Sequence, residues 1–588
     1  MQTKNYKKIR KALDKKGFEH IKAAEWHKSI RLTGRVKGWD DKIKAGFAAA
    51  NKGYKGVVND IDVEGVTPET MSIPDFSDNY LEKKYFDVII IGGGITGAAI
   101  ARELSRYDIS IALFEKEEDL ARHASGRNDG VVHDGFAAKP GTKKAEYNVR
   151  GNRAYTKVTE ELGVDFFRPG SFLLLSSPFS KLLIPFLKSR AKKNDVDGYE
   201  YLSRKTVAKR EPNLTKKQYG AFFLPSGGVM SPYKMVIAYA ENAAKNGAEI
   251  CFNTAVTGFD LEGKRIARIK TNRGTCSAGV VINAAGIWAD TIAEYADDRF
   301  FSLHGRKGAD AILDIKTGEF QKTSAAMPAI ISQKSSTTKG GGLVMTPEGN
   351  ILVGPTAKEV PEREDYSTEP EDMDGLQHHI DLNTKLNRSQ VITYFAGIRA
   401  CNYEEDFIIE ASEEVENLVY AAAIQSPGFA SAPAIAEDIA AITVEILGKE
   451  KPVAKNETFN PYRTAPPQLK SMALEDRAAL IQKNPAYGRI VCRCEEISEG
   501  EIRDALRSPL AVTTIDGIKR RARVGAGRCH GGFCTPRVLE IMAEELACPV
   551  DELTKKGKGS EVFFGLTKGT VDYSGKKLKT MKEEEAVQ

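Results

Sequence analysis

Four cysteines toward the C-terminal end stand in two close pairs. Cys492 and Cys494 lie in VCRCEE, Cys529 and Cys534 in GRCHGGFC, with 34 residues between the pairs. Thiolate is the metal-binding and redox-active form of cysteine, and four of them suit a tetrahedral zinc ion, an iron–sulfur centre or redox-active thiols. In a reducing compartment such clustering favours metal over disulfide. Both pairs sit beside expected helix N-termini. Ser498 and Glu501 occupy capping-box positions just after Cys494, and Thr535 and Pro536 can open a helix directly after Cys534. Exposed amides and the helix dipole favour thiolate there. Gly531 and Gly532 let backbone N–H groups approach sulfur, and the cations of IKRRARVGAGR would offset an anionic cluster. Structural zinc modules usually pair cysteines as C-x2–4-C, whereas the first pair here is C-x-C, so the spacing tilts toward iron–sulfur.

A second chemistry is written in FDVIIIGGGITGAAIARELSRYDISIALFEKE. The apolar run FDVIII reads as a strand buried on both faces. Gly92, Gly94 and Gly97 then fit G-x-G-x-x-G, with Thr96 inside the turn, directly between that strand and a helix. The first glycine permits a tight turn, the second lets the backbone approach a pyrophosphate, and the third allows close helix–strand packing. A second strand, ISIALF, ends at Glu115, eighteen residues past Gly97 and followed by Lys116. An acid at that place suits a ribose hydroxyl.

Three further stretches favour FAD over NAD. HASGRNDGVVHDGF supplies Ser125, Arg127 and Asn128 to wrap a pyrophosphate and flavin, and GVVINAAGIWAD gives a strand and a small-residue turn at Gly286. QSPGFASAPAIAEDIAAITVEIL turns at Ser426 and Gly428, with Phe429 next, and runs into a helix. The N-terminus of that helix could stabilise a reduced flavin's negative charge. With these motifs, and with YFAGIRA, residues 84–447 resemble the FAD-dependent D-amino-acid oxidase superfamily, in its glycerol-3-phosphate dehydrogenase and 2-hydroxyglutarate dehydrogenase branches. The resemblance implies an α/β fold: a Rossmann-like FAD-binding domain interleaved with an antiparallel-sheet substrate domain. The cysteine spacing, with DGIKRRARVGAGRCHGGFC, resembles the bacterioferritin-associated-ferredoxin-like [2Fe–2S] module, a small helical domain in which Cys492, Cys494, Cys529 and Cys534 would hold the cluster.

The resemblance implies a dehydrogenase that oxidises a secondary alcohol on a small anionic substrate, passing electrons from FAD through the cluster to a partner protein. Amine or amino-acid oxidation, and an electron-transfer subunit that oxidises no substrate, are the competing readings. A guanidinium can clamp carboxylate or phosphate bidentately, which makes Arg399 the first substrate-binding candidate. His133, in the loop expected to reach the flavin, and His304, in FSLHGRKGADAILD, are the candidate bases, with Arg306 and Lys307 as further anion binders. The pair His378–His379 reads as solvated helix surface. The loop after His133 resembles the hydroxyglutarate branch and the cysteine module the glycerol-phosphate branch, so the substrate stays open between them.

These sites need a large frame, and 588 residues provide it. Hydrophobic residues make up 41%, charged residues 28% and the net charge is +5, too small to argue for nucleic acid. No run approaches a membrane span and the first residues lack a secretory apolar core, so the expected place is the cytosol, with association at the inner face of a membrane left open. Residues 1–60 hold sixteen Lys or Arg against six Asp or Glu, which defines 1–83 as a basic extension, with short helices, that packs on the main body. The other divisions are the oxidoreductase at 84–447, a Pro-rich linker at 448–485, the cysteine module at 486–547 and a basic tail at 548–588. Cys251, Cys276, Cys401 and Cys548 read as small buried hydrophobes.

Overall fold

The computed structural model describes residues 4–326, 341–510 and 512–563. The chain divides into two compact units, Met1–Ala465 and Pro466–Gln588.

In the first unit the strand Tyr85–Ile91 is buried along almost its whole length, as its continuous apolar run requires. It pairs in parallel with Ile111–Phe114 on one side and Gly274–Asn283 on the other. Glu249–Cys251 extends the parallel core past Ile111–Phe114, and Leu418–Ala422 extends it past Gly274–Asn283. The helices Ile95–Leu104, Lys143–Leu162, Pro232–Lys245 and Gly428–Gly448 pack with this layer and with one another. A second, nine-stranded sheet is almost wholly antiparallel. Its spine is His304–Leu313 against Val391–Cys401, in register from His304↔Cys401 through Arg306↔Arg399 and Gly308↔Gly397. The expected Rossmann-like layer and antiparallel substrate sheet are both present.

Residues 1–83 hold more order than short helices. Lys22–Trp26, Ser29–Val36 and Val57–Val63 form a three-stranded sheet, antiparallel and then parallel, joined by the crossover helix Trp39–Ala49. Alternation in VVNDIDV buries Val57, Asn59, Ile61 and Val63 on one face, a period-two signal hidden under the cationic composition. The core of this part includes Tyr403, whose hydroxyl accepts a hydrogen bond from Asn59 Nδ2 at 2.8 Å.

The expected linker at 448–485 is also structured. Its first part lies on the parallel-sheet layer: Lys451 pairs with Asp87, Asn456 Nδ2 donates to the Ser105 carbonyl, and Arg463 pairs with Glu241. Its later part belongs to the second unit, with the helix Leu474–Lys483 and the Leu469 N–H donating to Glu501. Prolines end regular hydrogen bonding without preventing a segment from docking. The start of the basic tail likewise belongs to the second unit, where Leu553 is buried in the core; residues 564–588 lie outside the described residues. That unit is built around Glu499–Leu506, Ile515–Ala522 and Thr535–Leu546. The capping box of Ser498 and Glu501 and the helix start after Cys534 both form as expected.

Candidate active site and cysteine centre

The first unit encloses a cavity of ≈ 730 Å³. One end is walled by the glycine turn. Gly92 has φ +111°, and a Cβ there would come 2.5 Å from the Ala284 carbonyl oxygen. A Cβ on Gly97 would come 2.0 Å from the Gly92 carbonyl oxygen, so the helix reaches the strand only because both residues are glycine. The helix Ile95–Leu104 has no side-chain cap from Gly94, and its Ile95 N–H donates to Ser125 Oγ at 2.9 Å. Thr96 is buried in the same wall. Glu115 accepts from the Gly93 and Glu117 N–H groups at 2.8 and 2.9 Å, while burial raises its carboxyl pKa above the usual range.

The other expected cofactor residues line the same cavity. Asn128 braces its own loop, donating to the carbonyls of Ala124 and Ser125 and accepting from the Gly130 N–H. Arg127 Nε donates to the Arg122 carbonyl, and the guanidinium lies 4.3 Å from the Tyr366 ring centroid. Lys116 stands between Glu117 and Glu364 at 2.7 and 2.8 Å, so its charge is already neutralised. Gly286 takes φ +58° at the start of a turn of 3-10 helix, and Ser426, Gly428 and Phe429 bring the first turn of Gly428–Gly448 to the wall. Glycines that bring backbone to the cavity, a helix N-terminus that opens on a glycine and an acid at the end of the second strand together fit a dinucleotide such as FAD.

Toward the antiparallel sheet the cavity is lined by His133, Asp310 and Arg399. His133 is half-buried, and its main-chain carbonyl is pinned by Asn148 Nδ2 at 2.6 Å and Asn152 Nδ2 at 2.9 Å. The Arg399 guanidinium lies over Gly308, where a Cβ would sit 2.5 Å from Nη1. Its hydrogen bond to the Thr356 carbonyl is a long one, 3.4 Å. Two other cavity cations are ion-paired, Arg122 with Glu118 and Lys144 with Glu405 at 3.5 Å.

Asp310 went unremarked in the sequence. It is 2% exposed, and its Oδ1 has no hydrogen-bond partner in the structure. Burial holds its carboxyl pKa well above the usual range; the nearby Asp129 carboxylate pushes the same way and Arg399 opposes. A buried carboxyl in that state is neutral and can donate a hydrogen bond. Its Oδ1 occupies the space a Cβ on Gly354 would need, 2.3 Å away. No local motif marks such a residue.

His304 does not reach this cavity. It is 2% exposed, its Nδ1 bonds Glu359 at 2.6 Å, and its ring stacks on Tyr403 at 4.9 Å. Arg306 is committed to Glu359 and Glu405, and Lys307 to Asp365 and Ser367. The reason is distance along the strand. His304 and Asp310 are six residues apart, about 20 Å at ~3.3 Å per residue, and only the later part meets the cavity. The pair His378–His379 also departs from expectation: His378 is exposed, but His379 is buried and its pKa is lowered to about 3, by burial first and then by His378.

In the second unit the four cysteines meet. Cys494 Sγ lies 3.8 Å from both Cys492 Sγ and Cys529 Sγ, and Cys534 hydrogen-bonds Cys492. That bond, with the N–H groups of Gly525 and Glu495, pulls the Cys492 pKa down to about 6 against its burial. Burial pushes Cys529 up, but the N–H groups of Gly531 and Phe533 outweigh it. Burial and the neighbouring Cys492 push Cys494 up to about 12, and Cys534 is raised by its bond to Cys492 and by burial. Gly527 is a feature the sequence alone does not reveal: a Cβ there would come 2.6 Å from Cys494 Sγ. Among the described residues no three such donors are set as for a single ion; here the sulfurs hydrogen-bond one another. Four gathered thiols, two of them eased toward thiolate by backbone N–H groups, are the donor set of a [2Fe–2S] centre. Cys251, Cys276 and Cys401 are buried as expected, and Cys548 is half-buried.

Comparison with known proteins agrees with this geometry. Residues 87–442 match the family model of FAD dependent oxidoreductases, and residues 490–544 match the BFD-like [2Fe–2S] binding domain. A glycerol 3-phosphate dehydrogenase of Caloramator mitchellensis is 37% identical over 490 residues, 83% of this chain and 100% of that protein. A subunit of the anaerobic glycerol-3-phosphate dehydrogenase of Haemophilus influenzae is 26% identical, covering 80% of this chain and 87% of that one. The structure of dithionite-reduced L-alpha-glycerophosphate oxidase from Mycoplasma pneumoniae, with FAD bound, superposes with a TM-score of 0.60 at 26% identity, over 66% of this chain and all of that one. The chain therefore belongs to the FAD-dependent oxidoreductase family and carries a BFD-like [2Fe–2S] binding domain at its C-terminal end.

Proposed function

We propose that the protein oxidises the secondary alcohol of glycerol 3-phosphate to a ketone and hands the electrons to a partner subunit. The observation that carries this reading is Arg399, a cavity-facing guanidinium with no carboxylate bonded to it among the described residues. A phosphate suits such a group, as a carboxylate would, bound bidentately and charge-assisted. Neutral Asp310 stands beside it without repelling an anion and can donate to a substrate oxygen. The His133 ring is the group we assign to take the hydroxyl proton, and Asn148 and Asn152 hold its backbone in place. When bound, FAD supplies the acceptor for the carbinol hydride and the [2Fe–2S] centre supplies a one-electron carrier.

The similarity to glycerol 3-phosphate dehydrogenases supports this substrate over a 2-hydroxy acid, and the relative that is one subunit of a larger enzyme supports a partner chain as acceptor. No described helix is long and apolar enough to cross a membrane; we propose that the chain sits peripherally at a membrane's inner face. Steady-state oxidation with a dye acceptor tests the substrate, using glycerol 3-phosphate, glycerol, L-2-hydroxyglutarate and glycine in parallel. Glycerol 3-phosphate should be preferred by at least about 100-fold over glycerol, the worth of a buried charge-assisted phosphate contact. Faster turnover of the hydroxy acid or the amine would reject the assignment.

A further inference from the structure

The segment SSPFSKLLIPFLKSRAKK folds as a 3-10 turn, Pro178–Leu183, running into the helix Ile184–Lys193. Its inner side is fixed: Leu187 and Ala191 are buried in a core with Phe136, Val149, Phe222 and Leu224. Its outer side is apolar and open. Phe179 and Leu182 are each 78% exposed, Phe186 58% and Leu183 37%; Phe179 and Leu182 stand one 3-10 turn apart and so share a side. The first two are the most exposed large apolar side chains described in this unit. Soluble surfaces rarely concentrate such residues without a partner.

Within the segment that carries this face the charges are of one sign, and the first acids beyond it, Asp195 and Asp197, are paired with Arg153. Residues 178–193 contain Lys181, Lys188, Arg190, Lys192 and Lys193 and no acid, and the four lysines are exposed. Arg190 turns inward, donating to the carbonyls of Phe136, Ala137 and Ala138, and Asn194 donates to those of Gly135 and Ala138. Phe136, Ala137 and Ala138 line the cavity, so the open face is tied by direct hydrogen bonds to the cavity wall.

We infer that this face seats on the surface of an anionic lipid bilayer, with Phe179, Leu182, Leu183 and Phe186 entering the interface and the lysines meeting the headgroups. A short amphipathic helix with Phe and Leu on one side and lysine flanks is the composition of an interfacial anchor. A second copy of the chain would set lysine against lysine across a twofold axis, which opposes self-association through this face. Protein interfaces are depleted in lysine and favour Arg, Met, Tyr, Trp and Phe; of these the exposed face carries only Phe179 and Phe186, and it sets them among lysines. The inference deepens the membrane placement proposed above and is independent of the substrate, since lipid binding needs neither turnover nor the cluster.

Co-sedimentation of the full-length holoprotein with vesicles tests it. Vesicles of phosphatidylcholine with about 30% phosphatidylglycerol should pellet the protein, pure phosphatidylcholine much less, and salt should weaken the binding. The triple variant Phe179→Ser, Leu182→Ser, Phe186→Ser should lose on the order of 100-fold in partitioning while its flavin is still reduced by the wild-type protein's substrate. Lys181→Glu with Lys188→Glu and Lys192→Glu, which leaves the apolar face intact, should lose at least about fivefold for each lysine. Wild-type protein that ignores the anionic vesicles, or a triple variant that binds them unchanged, would overturn the inference. So would a triple variant that dissociates a dimer or a partner chain without changing vesicle binding, because the face would then belong to protein.

Discussion

The two chemical centres of this protein are built on opposite plans. The cavity of the first unit is made from backbone: glycine turns, a helix N-terminus and a parallel sheet. The cysteine centre of the second unit is made from four side chains, with Gly525, Gly527 and Gly531 there to admit them. The first plan spreads binding over many small contacts, so losing one side chain weakens it. The second concentrates binding in four sulfurs, so losing one removes the site.

The largest effect should come from Cys492→Ser. Iron and acid-labile sulfide should be absent from anaerobically purified variant, while FAD content and flavin reduction by substrate persist. Loss of FAD together with iron would break the contrast between the two plans. In the cavity, Gly97→Ala would push a methyl to 2.0 Å from the Gly92 carbonyl oxygen. Destabilisation of the first unit by about 3 kcal/mol or more is expected, with FAD lost on gel filtration and the iron retained.

A milder change is Arg399→Ala. KM for glycerol 3-phosphate should rise by about 100-fold, equivalent to ~3 kcal/mol, with FAD retained, because the cofactor rests on backbone contacts elsewhere. An unchanged KM would remove Arg399 from the substrate site. The smallest effect belongs to Asp310→Asn. Since burial keeps Asp310 protonated, the uncharged isostere should hold kcat/KM within about threefold near neutral pH. Stability gives the sharper reading. A group whose native pKa is raised lends stability that is full below its unfolded value of about 4 and is lost as pH rises toward the native value. Melting of the wild type relative to Asp310→Asn should therefore worsen as pH rises above the unfolded value, and the opposite trend would mean an ionised carboxylate.

The parts legible in the sequence are those in which a short stretch determines its own geometry. Gly92, Gly94 and Gly97 announce a turn, Ser498 and Glu501 a helix start, and each cysteine pair its place beside one. What was hidden depends on register between distant strands. Arg306 and Arg399 are paired across the sheet, yet only Arg399 serves the cavity, and nothing near His304 shows that it stacks on Tyr403 instead. Asp310 takes its role from Gly354, on a neighbouring strand, which makes room for its carboxyl, while Gly308 on its own strand makes room for the Arg399 guanidinium from the strand on the other side. The strands of residues 22–63 were masked by cationic composition, because surface charge says little about an alternating buried face.

The most direct test of the account is an anaerobic absorbance titration of the purified holoprotein with glycerol 3-phosphate. The flavin absorbance should bleach first and the iron–sulfur absorbance should then fall, to the extent that dithionite produces. Centres that dithionite reduces but glycerol 3-phosphate leaves oxidised would contradict it.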